Sequence, residues 1–153
     1  MQRLIKFLAT GLGCGYVPKM PGTAGSALGL VLVWAVAGLH LGGYLLFTFV
    51  FALFSIWIAH QADKQFAVKD AQEIVIDEVA GIVVTFVAVP VVPLTLILGF
   101  ILFRFFDIVK IPPIRQSQRL RGGWGIVVDD LLAGLFANIV LQIVLTVWYL
   151  VAT

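Results

Sequence analysis

The chain has 153 residues, of which 61% are hydrophobic and 12% charged, and its mean hydropathy is +1.09. These values lie far outside the range of soluble domains, and the lack of a long polar linker predicts one membrane domain over residues 1–153. The net charge of +2 excludes a nucleic-acid-binding protein, because no basic and aromatic patch accompanies it. The single cysteine, Cys14, excludes an internal disulfide and a multi-thiolate zinc site.

The first ten residues predict a short amphipathic segment rather than a signal peptide. Arg3 and Lys6 are basic, but the apolar run that follows them is short and broken. Leu4, Phe7 and Leu8 would share one side of a helix. We therefore expect this segment to lie along the membrane surface.

The run from Met20 to Ala62 contains no Lys, Arg, Asp or Glu. Residues 21–26 (PGTAGS) predict a turn that leads into a helix from Leu28 to about Leu39. A break at 40–43, which contains two glycines, separates it from a return helix over Tyr44–Ala59. The two helices are predicted to form a tight pair of spans.

A polar segment at 60–78 precedes a third charge-free block at 79–103. Pro90 and Pro93 interrupt that block, since proline removes a backbone donor and disfavours helix just before it. The block forms either one kinked span or two shorter helices joined at the prolines. The last block, 131–153, is long enough for a full crossing.

The placement of charge favours the proline hairpin over the kinked span. With a hairpin, all ten Lys and Arg and all eight acids fall on one side of the membrane. The positive-inside rule makes that side cytoplasmic. A single kinked span would instead place Asp77 and Glu78 on the side opposite Asp129 and Asp130. The predicted fold is therefore an all-α, multi-helix membrane-embedded bundle with its charged loops on one face.

The stretch from Arg104 to Asp130 holds several candidate functional groups. Arg104, Asp107 and Lys110 recur every third residue, which keeps them on one helix face. The glycine-rich segment 122–125 is typical of a turn, or of a loop whose N–H groups approach an anion.

The acidic pairs have helical neighbours that indicate which member faces inward. Glu78 shares a face with Gly81 and Thr85, and Asp130 shares one with Gly134 and Ala137. Small residues mark close helix packing in a bilayer. Glu78 and Asp130 are therefore expected at the centre of a site. Asp77 and Asp129, turned about 100° away, are expected at capping or supporting positions.

Four motifs in this order resemble the phosphatidylglycerophosphatase A family. They are PGTAGS at 21–26, Asp-Glu at 77–78 with Gly81 after it, FRxxDxxK at 103–110 and GGxGIxxDD at 122–130. Asp70 and the pair His60-Gln61 also fit, and the resemblance runs from about Leu8 to Gly134. One departure is Ile111, which stands where the family usually has a proline directly after the motif lysine.

The resemblance implies an all-helical, magnesium-dependent enzyme of phospholipid biosynthesis. Composition and the one-sided charge pattern lead us to expect it in the cell membrane, with its active site on the cytoplasmic face. Its substrate would be the phospholipid phosphatidylglycerophosphate, hydrolysed to phosphatidylglycerol and phosphate. The implied metal ligands and catalytic acids are Asp77, Glu78, Asp107, Asp129 and Asp130. The implied phosphate-binding residues are Thr23, Ser26, Arg104 and Lys110.

The residue types are consistent with this chemistry. Mg²⁺ prefers carboxylate oxygens, and Arg and Lys balance the charge of a transferring phosphoryl group. The backbone at Thr23–Ser26 could cradle a phosphate if it starts a helix, although simple N-capping explains it as well. Neither a Cys-x5-Arg motif nor an Asp-x-Asp pair is present, so water activated by a metal is the expected nucleophile. Asp107 is either a general base or a third metal ligand.

The main alternative is a small transporter or channel whose acids form an ion pathway. Such a pathway needs charges within the spans, whereas here they cluster beyond the ends of the apolar blocks. A phosphatidyltransferase and a non-enzymatic membrane anchor are further alternatives, although the spaced acidic signature of the former is not found.

Overall fold

The computed structural model describes residues 2–66 and 71–152, and these form seven α-helices and one 3-10 turn, Cys14–Tyr16, with no β-strand among them. The all-α prediction is confirmed. Asp70 lies outside the described residues. The helices are α1 (Gln2–Ala9), α2 (Pro21–Val36), α3 (Leu41–Asp63), α4 (Ile76–Thr85), α5 (Pro93–Val109), α6 (Ile114–Ser117) and α7 (Gly123–Ala152).

Helix α1 is amphipathic, as its sequence predicts. Ile5 and Ala9 are buried against the bundle, whereas Leu4 and Phe7 point outward and are 59% and 50% exposed. Leu8, one turn after Leu4, is partly buried and packs against the core. The outward apolar side chains suit a helix at a membrane surface.

The predicted turn at residues 21–26 is wrong, because α2 already begins at Pro21. Proline suits the first helical position, where its φ is preset and its missing N–H has no partner to lose. The glycines serve close packing instead of a turn. A Cβ on Gly25 would lie 2.7 Å from the Cβ of Val75, so α2 crosses the segment before α4 at short range.

The predicted break at 40–43 separates α2 from α3, although α3 includes both of its glycines. His40 caps α3, and its Nδ1 accepts a hydrogen bond from the Gly43 N–H at 3.1 Å. Such a cap satisfies one of the four N–H groups left free at a helix start. Helix α3 then extends to Asp63, beyond the predicted end at Ala59.

Two helices of the described chain, α3 and α7, are long and apolar enough to cross a membrane. Only 22% and 28% of their most apolar windows are buried within the molecule. The core helix of a soluble protein would bury most of such a window, so these helices indicate membrane association. Helix α2 has 16 residues, about 24 Å at 1.5 Å per residue, and alone falls short of a full crossing.

The block at 79–103 forms a hairpin of two helices, as the charge pattern predicts. Helix α4 ends at Thr85, and α5 begins at Pro93. The Asn138 side chain donates hydrogen bonds to the carbonyls of Thr85 and Val87 at 2.9 and 2.8 Å, which satisfies backbone acceptors freed where α4 ends. The chain thereby returns to the side on which α4 began.

Helices α4 and α7 pack against each other through small residues. A Cβ on Gly134 would overlap the carbonyl of Gly81, and a Cβ on Gly81 would lie 2.7 Å from the carbonyl oxygen of Asp130. The Thr85 hydroxyl donates to the Gly81 carbonyl at 2.9 Å. The close approach of Gly81 and Gly134 confirms that the helix faces shared by Glu78 and Asp130 point inward. It also sets the starts of α4 and α7 side by side.

Candidate active site

Four helix ends meet around one polar cavity of about 490 Å³. The first turns of α2 and α4 contribute to it, as do the last turns of α5 and the beginning of α7. Eight of the nine residues predicted for the site line this cavity: Thr23, Asp77, Glu78, Arg104, Asp107, Lys110, Asp129 and Asp130. Segments that are far apart in the chain therefore converge as the resemblance implies.

Three of the acids form a compact cluster. One carboxylate oxygen from each of Asp77, Glu78 and Asp130 lies within 4.8 Å of the other two. From helical spacing Asp77 was predicted to lie outside this cluster, and that prediction is wrong, because the structure brings Asp77 into it. Asp77 and Glu78 occupy the first turn of α4, and the cavity lies beyond the end of that helix. Consecutive residues can both reach a cavity at a helix end, even when they point to different sides of the helix.

The cluster lacks enough polar partners within the protein. Among the described residues, no hydrogen-bond partner exists for the buried oxygens Asp77 Oδ1 and Glu78 Oε2. Burial raises the pKa of Asp77 well above its usual value, and the charges of Glu78 and Asp130 raise it further. Burial likewise raises the pKa of Glu78. Buried carboxylates without partners are costly, so this oxygen set suits a hard divalent cation.

The two remaining acids, Asp107 and Asp129, hold Arg104 and Lys110 in place. Arg104 Nη1 lies 2.6 Å from Asp107 Oδ2, and Lys110 Nζ lies 2.7 Å from Asp129 Oδ2 and 3.9 Å from Asp107 Oδ1. Gln118 also donates to Asp129 Oδ2, at 2.9 Å. Asp129 therefore supports Lys110, as expected for the member of its pair that faces away from the cluster. Its second oxygen, Oδ1, is buried without a partner among the described residues.

Lys110 is positioned by the end of α5. It adopts a left-handed conformation with φ 47° and ψ 55°, which is unfavourable for a residue with a side chain. Burial alone would lower the pKa of Lys110, but the hydrogen bond to Asp129 and the surrounding carboxylates raise it above its usual value. The ammonium therefore stays charged beside the acids.

The first turn of α2 closes another side of the cavity. A Cβ on Gly22 would overlap the Glu78 carboxylate and lie 3.1 Å from Arg104 Nη1, so only glycine fits there without displacement. Thr23 lines the cavity. Ser26 does not line it, because this buried side chain donates to the Gly22 carbonyl at 2.8 Å. Ser26 therefore supports the turn that carries Gly22.

The glycine-rich segment at 122–125 lies apart from the cavity. Gly123 begins α7 and packs closely against the backbone of α3, where a Cβ would overlap the Ile56 carbonyl. The N–H of Gly123 points to His60 Nδ1 at 3.5 Å. Gly122 and Gly123 thus allow the start of α7 to pack closely on α3.

Sequence reasoning missed several residues of the cavity, among them Lys19, Gly22 and Gln72, and it missed Gln118, which supports Asp129. Gly22 had a local signal, because it lies inside the PGTAGS motif. The others stand outside the motifs and have no spacing signal of their own.

The fold and the site define a class of protein: an all-helical protein with candidate membrane helices, whose acids and cations converge on one cavity suited to an anionic substrate. The sequence profile of the family described as phosphatidylglycerophosphatase A matches residues 7–145. The chain therefore belongs to the phosphatidylglycerophosphatase A family.

Individual relatives agree with this assignment. Phosphatidylglycerophosphatase A of Haemophilus influenzae is 38% identical over 89% of this chain and 85% of the relative. Phosphatidylglycerophosphatase A of Escherichia coli is 34% identical over 85% and 77%. A relative from Bacteroides thetaiotaomicron, 33% identical over 89% and 90%, is named provisionally as a phosphatidylinositol-3-phosphatase. No solved structure matches the chain.

Proposed function

We propose that this protein hydrolyses the terminal phosphomonoester of phosphatidylglycerophosphate, giving phosphatidylglycerol and phosphate. The observation that supports this most is the cluster of Asp77, Glu78 and Asp130 beside Arg104 and Lys110 in one cavity. Membership of the phosphatidylglycerophosphatase A family supplies the substrate. A phosphatase needs this combination, because it must bind a dianion and also stabilise charge in the transition state.

The proposed cofactor is Mg²⁺, held by Asp77, Glu78 and Asp130. The donor set fits, since it consists of carboxylate oxygens, and two buried oxygens in it have no partner among the described residues. When bound, the ion would offset phosphate charge and lower the pKa of a water molecule that serves as nucleophile.

The other side chains would bind and orient the phosphate. Arg104 and Lys110 present cationic donors to its oxygens, and their partners Asp107 and Asp129 hold these donors in place. The free backbone N–H groups at the start of α2, at Gly22 and Thr23, can donate to the same phosphate.

Proton transfer is assigned to Asp107. It lines the cavity, and its carboxylate has lone pairs beyond those engaged by Arg104 and Lys110, so one of them can accept a proton from the attacking water. In the reaction the water oxygen bonds to phosphorus, the bond from phosphorus to the glycerol oxygen breaks, and that oxygen takes up the proton that Asp107 received from the water. Asp107→Asn is expected to lower kcat more than it raises KM.

The substrate is tested with a panel of lipid phosphates presented to the purified protein in detergent micelles. Phosphatidylglycerophosphate, phosphatidylinositol 3-phosphate and phosphatidic acid are compared by kcat/KM for phosphate release. The proposal expects phosphatidylglycerophosphate to be the best of the three. A higher kcat/KM for phosphatidylinositol 3-phosphate would contradict the proposal and would indicate the activity for which the Bacteroides relative is named.

The proposed location is the cytoplasmic face of the cell membrane, with a multi-pass chain. In a Cys14→Ser background, single cysteines are introduced at the exposed positions Lys64, Gln116 and Leu39. Lys64 and Gln116 belong to the polar segments around the site, and Leu39 lies in the turn between α2 and α3 at the other end of those helices. An impermeant thiol reagent should label the first two from the cytoplasm and the third from outside. Labelling of Lys64 and Gln116 from opposite sides would refute this topology.

A further inference from the structure

A second cavity, of about 680 Å³, adjoins the acidic one. Lys19, Pro21, Ala71 and Gln72 line both cavities, so the two lie side by side and share a wall. Together they are large enough for more than a phosphate group, since ligand cavities commonly measure about 300–1,000 Å³. We call the second one the outer cavity.

The outer cavity has two walls that are held together firmly. The turn Cys14–Tyr16 and the residues up to Lys19 form one wall, and 71–73 form the other. Gly15 lies so close to Glu73 that a Cβ would overlap the Glu73 carbonyl. The fold therefore builds this cavity from two segments in close contact.

Lys19 stands at the boundary between the cavities, and within residues 2–66 and 71–152 no acidic side chain forms an ion pair with it. Arg104 and Lys110 are each paired with an aspartate, whereas no described carboxylate forms an ion pair with Lys19. Glu73 also lines the outer cavity, and no ion pair joins it to Lys19. An ammonium that no described acid engages, at the mouth of a phosphate site, is suited to a second anionic group on the same ligand.

The segment that carries Lys19 also offers an apolar surface. Tyr16, Val17 and Met20 are 60%, 45% and 57% exposed. Apolar side chains in such a position suit the region where lipid headgroups meet acyl chains. A lipid whose phosphate reaches the acids would therefore pass Lys19 before its chains enter the bilayer.

We propose that Lys19 binds the phosphodiester of the lipid while the terminal phosphomonoester occupies the acidic cavity. This rests on the proposed function, because phosphatidylglycerophosphate carries both groups, joined by a glycerol. The free hydroxyl of that glycerol can donate to Glu73 in the outer cavity. Lys19 is thus a residue that determines specificity and positions the substrate, outside the group that contacts the reacting atoms.

The test is steady-state hydrolysis of phosphatidylglycerophosphate by Lys19→Met, Lys19→Arg and the matched surface control Lys64→Met. Lys19→Met removes a charged hydrogen bond to the substrate, and the loss of such a bond should raise KM about tenfold. We expect Lys19→Met to show this rise with kcat within about twofold. Lys19→Arg should keep KM within about threefold of wild type, and Lys64→Met should match wild type.

Inorganic phosphate, as a competitive inhibitor, separates the two cavities. It lacks a second anionic group, so its inhibition constant should stay within about twofold in Lys19→Met. An equal rise in KM and in the phosphate inhibition constant would place Lys19 on the reacting phosphate and overturn the proposal.

Three other results would also overturn it: a wild-type KM in Lys19→Met, the same KM rise in Lys64→Met, and failure of arginine to restore binding. Any of these, with wild-type hydrolysis intact, refutes the outer subsite alone. Absence of phosphate release by the wild-type protein would refute the proposed function itself.

Discussion

Replacing Asp77 by asparagine should make the metal-free protein more stable and the enzyme almost inactive. Asp77 is 9% exposed, and its nearest carboxylate oxygens, on Glu78 and Asp130, lie within 4.8 Å. At an effective dielectric constant of about 20, two unit charges at 4.8 Å repel each other by about 3.5 kcal/mol. Proton uptake by the cluster reduces this repulsion, and the favourable interaction of an acid with the start of α4, about 0.5–1 kcal/mol, is lost. We expect a net gain of about 1–2 kcal/mol.

The effect on activity should have the opposite sign. Loss of one carboxylate from the cation site weakens the stabilisation of the transition state by about 3 kcal/mol, which lowers kcat/KM about a hundredfold. The assay combines thermal unfolding in detergent, with a chelator and across a Mg²⁺ titration, with phosphate release. Wild type should unfold at higher temperature when Mg²⁺ is added, and Asp77→Asn should lose most of that shift. Asp63→Asn, a change of the same kind at the end of α3 and outside the cavity, is the control.

The reasoning is refuted if Asp77→Asn keeps both wild-type turnover and the full Mg²⁺-dependent shift. In that case Asp77 would be a cap at the start of α4, as the helical-face argument had it. If Asp77→Asn is less stable than wild type in the chelator, charge repulsion does not destabilise the cluster.

Two further predictions concern packing and the α2 turn. Gly134→Ala should destabilise the protein by about 1–3 kcal/mol, because its Cβ would overlap the carbonyl of Gly81. The control Gly38→Ala, at a site with nothing within 4 Å, should have the melting temperature of wild type. Equal melting temperatures of the two variants would contradict the close α4–α7 contact. Thr23→Ala should raise KM for the phosphate substrate more than Ser26→Ala, since Thr23 lines the cavity and Ser26 donates to a backbone carbonyl. The reverse order of KM values would show that Ser26 turns toward the phosphate.

Much of the architecture was predictable because long apolar helices leave strong signals in sequence. The charge-free block at 79–103 becomes a hairpin because Pro90 and Pro93 prevent one continuous helix. Helix α4 ends at Thr85, and α5 begins at Pro93. The inward faces of Glu78 and Asp130 followed from Gly81 and Gly134, since only small residues allow the close approach that the structure shows. Helical periodicity and residue size suffice for inferences of this kind.

Other features depend on tertiary contacts that no local pattern encodes. The glycines of α2 suggested a turn, but they meet Val75 and Glu78 across a helix crossing. Asp77 reaches the cluster because the cavity lies beyond the end of α4, a position that helical periodicity does not describe. Lys19 joins the site through the packing of Gly15 on Glu73, two segments more than fifty residues apart in the chain.

The central claim is that the clustered acids hold a divalent cation with which this chain hydrolyses phosphatidylglycerophosphate. Its most direct test is the initial rate of phosphate release from that lipid by the purified protein, with Mg²⁺, with a chelator, and after Mg²⁺ is restored. The account predicts release with Mg²⁺, loss of release in the chelator and recovery on restoration, and no recovery in Glu78→Gln or Asp130→Asn. Equal rates with Mg²⁺ and with the chelator would remove the cation from the mechanism, and wild-type rates in Glu78→Gln would place it elsewhere.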